Sequence, residues 1–299
     1  MTNIAIFGSA NIDLVVPVHR LPVKGETIMG ADLATVFGGK GANAAVAASR
    51  VGGTVNFVAK LGRDQYGTNY LNHLRGEKID TSHVSFCEEC RTGTALILVD
   101  DDGQNMIVVS PGSNARLTCD DVELARPVIQ SANIVLVQFE IPLDSVRRII
   151  QMANECGVPV ILNPSPYNSM FRFDGLEVDY LIVNDIEALE MSGMTWAEPS
   201  RVVAALLSIG PRNVIVTRGG DETLVASGEE LVKVAVGQVK VVDTVGAGDT
   251  FCGAFAVALA ESKPLVDAVC FANRAAGLAT TKMGAQASMP SRGQVEALP

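Results

Sequence analysis

From residue 118 onward, short apolar runs alternate with amphipathic stretches at a regular pace, and this rhythm restricts the chain more than any other feature. The spacing predicts helices over 119–131, 143–156, 186–191 and 197–209, with strands over 134–138, 158–162, 180–183 and 213–217. Strands joined by helical crossovers run parallel, and a parallel sheet needs helices on both faces to be buried. The N-terminal run 3–8 (NIAIFG) has the same apolar continuity and reads as a first central strand. Strand 55–60 and helix 64–77 add a further βα unit. Runs 222–226 and 231–238, around Ser227-Gly228, read as an antiparallel edge.

With 299 residues, 48% hydrophobic and 19% charged, the chain has material for a large core and is not a disordered polymer. A net charge of −10 without any basic run excludes nucleic acid and anionic membranes as natural partners. No run of apolar residues reaches membrane-spanning length, and the first residues lack a basic, cleavable leader. The expectation is a soluble, cytoplasmic protein. Of six cysteines, Cys119, Cys156, Cys252 and Cys270 read as small buried hydrophobes, whereas Cys87 and Cys90 form a lone C-x-x-C without a second ligand pair.

Chemistry concentrates in VDTVGAGDTF, residues 242–251. Valines precede it and a small, apolar helix follows, so Gly246, Ala247 and Gly248 stand at a helix N-terminus. Backbone N–H groups and the helix dipole make an anion site there. Asp249 at the same place reads equally as an N-cap or as a base facing a substrate hydroxyl. A second glycine loop, FGGKGAN (37–43), leads into an Ala-rich helix. No Ser or Thr follows Lys40, which excludes a Walker A loop. The loop also follows a Pro-punctuated outlying segment, unlike a dinucleotide fingerprint.

Asn11 and Asp13 fall just after the first strand, where open α/β sheets bind ligands. They read equally as sugar-binding groups or as an Asx turn. Segments 14–18 and 27–37 are expected to be extended and to lie outside the main core. Strands 92–99 and 105–110 form a hairpin around Asp102-Gly103, and its residues are apolar on both faces. Two dry faces need a substrate pocket beneath and a second subunit behind, so a homodimer through this hairpin is expected. Residues 282–290 (KMGAQASMP) are expected to be irregular and read either as a surface loop or as carbonyl ligands for a cation.

FGGKGAN, DTVGAGDTF and Asn184-Asp185-Ile186-Glu187, together with NID, FEIPLDSV, TRGG and GAQASMP, make the chain from Asn3 to about Arg292 resemble the PfkB carbohydrate kinases, in their ribokinase-like branch. The resemblance implies a three-layer α/β/α domain with a mostly parallel sheet (1–11, 38–91 and 113–299) and a small β-sheet lid (12–37 and 92–112). It implies transfer of the ATP γ-phosphoryl to a sugar hydroxyl. Asn11, Asp13, Gly39, Lys40, Asn43 and Glu140 would hold the sugar, with Asp249 as base and Gly246, Ala247 and Gly248 as anion hole. Asn184, Thr217, Gly219, Gly248 and Asn273 would meet the nucleotide, and Glu187 would hold Mg²⁺ through water. A monovalent cation, K⁺, would sit among Asp243, Val245, Ala279, Lys282, Gly284 and Ser288. D-ribose, giving ribose 5-phosphate, is the expected substrate. Deoxyribose, a ketohexose, a sugar acid, a nucleoside, or a silent sugar-binding role are the alternatives.

Overall fold

The computed structural model describes residues 2–196 and 198–298. The chain enters through β1 (Asn3–Phe7) and leaves the core by β2 (Asn11–Pro17), returning through β3 (Ala34–Gly38) to α1 (Lys40–Arg50). Then come β4 (Thr54–Gly62), α2 (Gln65–Gly76), β5 (Val84–Cys87) and the hairpin β6 (Gly93–Val99) and β7 (Asn105–Ser110). The βα alternation follows: α3 (Cys119–Leu124), α4 (Arg126–Ser131), β8 (Ile134–Gln138), α5 (Leu143–Cys156), β9 (Val160–Asn163), β10 (Tyr180–Asn184), α6 (Asp185–Ser192), α7 (Pro199–Ser208) and β11 (Asn213–Arg218). The antiparallel β12 (Asp221–Ser227) and β13 (Glu230–Val234) precede α8 (Ala247–Ala260), α9 (Leu265–Ala279), α10 (Ala285–Ser288) and α11 (Arg292–Glu296).

Among the described residues these strands make two sheets. The larger has the order β13-β12-β11-β10-β9-β8-β1-β4-β5 and is parallel except for β12 and β13. The smaller has the order β3-β2-β6-β7. Alternate residues of the central strands feed two separate cores. Ile4, Ile6, Ile134, Leu136, Ile161, Ile182 and Ile215 pack with α1, α8 and α9. Ala5, Phe7, Val135, Val137, Leu162, Val183 and Val216 pack with α3 to α7. Burial on both faces explains why these strands read as unbroken apolar runs. β1 lies between β8 and β4, so the chain winds outward in both directions from there, and a crevice opens at the carboxyl ends of β1 and β8.

Several expectations are corrected. The helix expected over 119–131 breaks at Ala125. Pro127, at the start of α4, has no N–H to donate and its ring crowds the preceding turn. Of the strand expected over 27–37 only Ala34–Gly38 forms, and residues 26–33 take no regular structure. Segment 282–290 is not wholly irregular, since Ala285–Ser288 makes one helical turn behind Gly284 (φ 86°). Cys87 and Cys90, the lone C-x-x-C, are joined as a disulfide. Of the four remaining cysteines only Cys252 is buried; Cys119 is exposed at the start of α3, and Cys156 and Cys270 are half-buried on outer helices. The expected helix start at Ala197 lies outside the described residues.

Candidate active site

Two helix N-termini converge on the crevice. α8 is apolar on every side and is buried from Asp249 to Ala258, sandwiched between the sheet, α1 and α9. Gly253 sets how closely α8 approaches α1, for a Cβ there would lie 2.3 Å from the Ala44 carbonyl oxygen. That approach brings Asp249 of α8 against Asn43 of α1, and Asn43 Nδ2 donates to Asp249 Oδ2 at 2.8 Å. The cap of α8 is Gly246, in the left-handed region at φ 76°, so Asp249 is not an N-cap. It stands in the first turn, 8% exposed, with its carboxylate held by a side chain of another helix. Of the three residues expected to form an anion hole, Ala247 has its N–H on the Thr244 carbonyl at 3.2 Å. Gly248 faces open space: a Cβ there would meet no protein atom within 4 Å, which leaves room for a ligand.

The glycines of FGGKGAN have distinct jobs. Gly39 takes φ 91° and presses against the backbone of Ala10 and Asn11, where a Cβ would be 2.7 Å from the Asn11 nitrogen. Gly38 leaves room for Asp13, whose carboxylate a Cβ would strike at 2.1 Å. Asn11, Gly38 and Gly93 are register partners where the smaller sheet begins, so this sheet is rooted directly in the crevice. Asn11 is 4% exposed, and its Oδ1 accepts from Asn114 Nδ2 at 2.6 Å. Glu140 sits just past the end of β8 and accepts from the Lys40 backbone N–H at 3.0 Å and from the Ser9 hydroxyl, so it also secures the start of α1.

Three carboxylates and one ammonium share this floor. Burial, then the charges of Glu140 and Asp249, push the Asp13 carboxyl up from 3.8 to about 7. Burial works against the Lys40 ammonium, yet the nearby Asp249, Glu140 and Glu187 carboxylates outweigh it and hold its pKa above the ordinary lysine value. Burial and the neighbouring Asp249 raise the Cys252 thiol, which stays protonated. A cavity of about 460 Å³ opens beside the floor, walled by Asn11, Glu140, Asn114, Phe139 and Val109 of β7. Asp249 lies outside its lining.

The second cluster lies along the same rim. Asn184 and Thr217 are register partners at the carboxyl ends of β10 and β11. Asn184 and Glu187 form a capping box on α6: Asn184 Oδ1 accepts from the Glu187 N–H at 2.8 Å, and Glu187 Oε2 accepts from the Asn184 N–H at 3.0 Å. That contact engages one Glu187 oxygen, on a side chain 7% exposed. Gly219 occupies the turn from β11 to β12 at φ 59°. Asn273 is turned into the protein, where its Oδ1 accepts from the Thr223 hydroxyl at 2.9 Å, fastening α9 to β12.

The residues expected around a monovalent cation come from two segments that the fold joins. Val242 and Asp243 donate their N–H groups to the Thr280 carbonyl at 2.8 and 3.2 Å. Asp243 accepts from the N–H groups of Val245 at 3.0 Å and Gly284 at 2.8 Å. This brings Val245, Ala279, Lys282 and Gly284 into one neighbourhood. The Ser288 hydroxyl, by contrast, donates to the Ala285 carbonyl at 2.8 Å. Ser9, Asn114, Tyr70 and Gln286 also shape the site; Gln286 lies within GAQASMP without a role expected of it, and the other three fall outside every motif singled out from the sequence.

Residues 1–292 match the family described as pfkB family carbohydrate kinase. The ribokinase of Bacillus subtilis is 39% identical over 298 residues, covering 100% of this chain and 99% of that protein. Among solved structures, the ribokinase of Giardia lamblia superposes with a TM-score of 0.91 at 30% identity, covering 99% of both chains. The Arabidopsis thaliana ribokinase complexed with ribose and ATP superposes with a TM-score of 0.87 at 32% identity, covering 99% of this chain and 97% of that one. The chain belongs to the PfkB family of carbohydrate kinases, and its fold is ribokinase-like.

Proposed function

We propose that this kinase transfers the ATP γ-phosphoryl to a hydroxyl of D-ribose, giving ribose 5-phosphate, with Asp249 as the base. The observation that carries the reading is the Asn43–Asp249 contact. It holds a buried carboxylate in the first turn of α8, next to Gly248, whose missing side chain leaves open space. In phosphoryl transfer the attacking hydroxyl is still largely protonated at the transition state, so position matters more than basicity. Asp249 takes the hydroxyl proton as the sugar O–P bond forms and the bond between the γ-phosphorus and the bridging oxygen breaks, releasing ADP. The N–H groups of Gly246 and Gly248 and the α8 dipole oppose the charge on the transferred phosphoryl.

Asn11, Asp13, Gly39, Lys40, Asn43 and Glu140 form the sugar floor in this reading. Asn11 and Glu140 wall the cavity beside this floor, and the complex of ribose and ATP with the Arabidopsis relative supports a pentose there. Asn184, Thr217 and Gly219 line the nucleotide side, with Asn273 bracing the edge hairpin behind them. Glu187 would hold Mg²⁺ through water by the oxygen outside its capping box, and the ion would neutralise phosphate charge. K⁺ would order the loop behind the amides, held by Asp243 and the carbonyls of Val245, Ala279, Lys282 and Gly284, with the Ser288 hydroxyl at the margin. The smaller sheet acts as a lid, and through its edge the chain pairs with a second copy.

The test is ADP release over a panel of pentoses, hexoses, ketohexoses, sugar acids and nucleosides, with and without potassium. Turnover highest with ribose and stimulated by potassium supports the reading. A preference for another sugar moves the substrate, and no turnover with any of them overturns the kinase assignment.

A further inference from the structure

The partner of Asp249 is itself held from behind. Asn43 Oδ1 accepts from Gln286 Nε2 at 2.9 Å, and Gln286 Nε2 also donates to the Tyr70 hydroxyl at 2.9 Å. Tyr70 in turn donates to the Gly38 carbonyl at 2.6 Å, and Gln286 Oε1 accepts from His73 Nε2 at 2.7 Å. Asn43 and Gln286 are 5% and 4% exposed and Tyr70 is fully buried, so water does not compete for these groups.

Every direction in this chain of contacts is forced. A carbonyl only accepts, so Gly38 takes the single Tyr70 proton and leaves the hydroxyl with lone pairs alone. Gln286 must therefore present its NH₂ end to Tyr70, and the same end faces Asn43. Asn43 must then present its oxygen to Gln286 and its NH₂ end to Asp249. Turning either amide over sets oxygen against oxygen in a buried site and loses at least one hydrogen bond. The backbone around Gln286 is held independently. Its carbonyl accepts from the Arg50 guanidinium at 2.6 Å, and Arg50 is paired with Glu77. Two residues earlier, Gly284 is tied to Asp243.

We propose that Gln286 is a positioning residue for phosphoryl transfer: it fixes the orientation of the Asn43 amide and, through it, the rotamer of the Asp249 carboxylate. The inference rests on Asp249 being the base. Through Tyr70 the same amide is registered on Gly38, the last residue of β3, so the base is aligned with the root of the smaller sheet as well as with α10. The Gln286 side chain reaches the reaction only through Asn43.

Gln286→Met conserves length and volume and removes both donors, while Gln286→Glu keeps an acceptor for His73 and also removes both donors. In each, kcat for ADP release is expected to fall about tenfold with KM for ATP changed less than about twofold, since alignment is lost and nucleotide binding is not. In an Asn43→Ala background, Gln286→Met should lower kcat less than about twofold further, because the residue through which it acts is gone. Wild-type kcat in either folded variant overturns the proposal. So does a full tenfold loss repeated on Asn43→Ala, and so does failure of both variants to fold, which would assign Gln286 to stability. Asp249→Asn separates the two readings. If it retains turnover, the base assignment fails; if it abolishes turnover while both Gln286 variants keep theirs, this inference alone fails.

Discussion

The carboxylate of Asp243 accepts the backbone N–H of Gly284 at 2.8 Å, closing a contact between positions 41 residues apart. On one side of it lies the turn that carries Gly246 and the first amides of α8. On the other lies α10, whose Ala285 is so close to Gly246 that a Cβ on that glycine would approach it to 3.0 Å. In the proposed reading, a cation bound between these segments would act on the first amides of α8 without touching the phosphate. Asp243→Ala should raise the potassium concentration for half-maximal activation by roughly tenfold, as expected for losing a charged partner of a cation. An activity titration against potassium chloride at constant ionic strength checks this. A variant with the wild-type potassium response would remove Asp243 from the site.

For Asp249→Asn the expected outcome is a loss of turnover of about 10² or more, the usual scale for a positioned acid or base. Asn43 would still have an oxygen to donate to, so the local fold should survive. Calorimetric ATP binding should match the parent chain while ADP release falls. Loss of both together would mean that the carboxylate holds the nucleotide site and does not serve as base.

Asp13 makes a prediction about stability. Its carboxyl titrates near 7 in the folded protein against 3.8 without the surroundings. Between those values the folded chain keeps a proton that the unfolded chain has released, so stability falls as pH rises from about 4 to about 7 and is level above. Asp13→Asn removes this cost, and urea unfolding should show the variant more stable on the order of 2 kcal/mol at pH 8. The gain should vanish near pH 4. The same variant should bind sugar more weakly, because an acceptor-only group is lost. A variant less stable at pH 8 would show that the folded site does not disfavour the Asp13 charge.

The parallel sheet was legible in the sequence because its strands are buried on both faces and its crossovers are regular. Boundaries failed where a single residue overrode the pattern, as Pro127 did in splitting one expected helix into α3 and α4. FGGKGAN and VDTVGAGDTF announced the two helix N-termini, since clustered glycines directly ahead of a helix let backbone N–H groups come close to a ligand. Asp249 was ambiguous because cap and base call for the same residue type, and the cap reading falls only when the structure places the cap at Gly246, three residues earlier. The roles of Gln286, Tyr70 and Asn114 were invisible for a physical reason, although Gln286 lies within GAQASMP. Their task is to orient other polar side chains across more than 100 residues of chain, which no local spacing encodes.

The free edge of the smaller sheet supplies the last prediction. β7 carries Met106, Ile107, Val108 and Val109 in succession, and Ile107 and Val108, on opposite faces, are 51% and 59% exposed. An apolar edge strand open on both faces invites pairing with another chain. Val109 also walls the cavity beside Asn11 and Glu140, so a partner covering this strand would stiffen the roof of the sugar site. Replacing Ile107 and Val108 together by Lys should convert a dimer into a monomer by sedimentation. It should raise KM for the sugar several-fold, on the order of 1 kcal/mol of binding, with KM for ATP unchanged because Asn184 and Thr217 lie on the other side of the crevice. A parent chain that sediments as a monomer at assay concentration, with full activity, would refute pairing through β7.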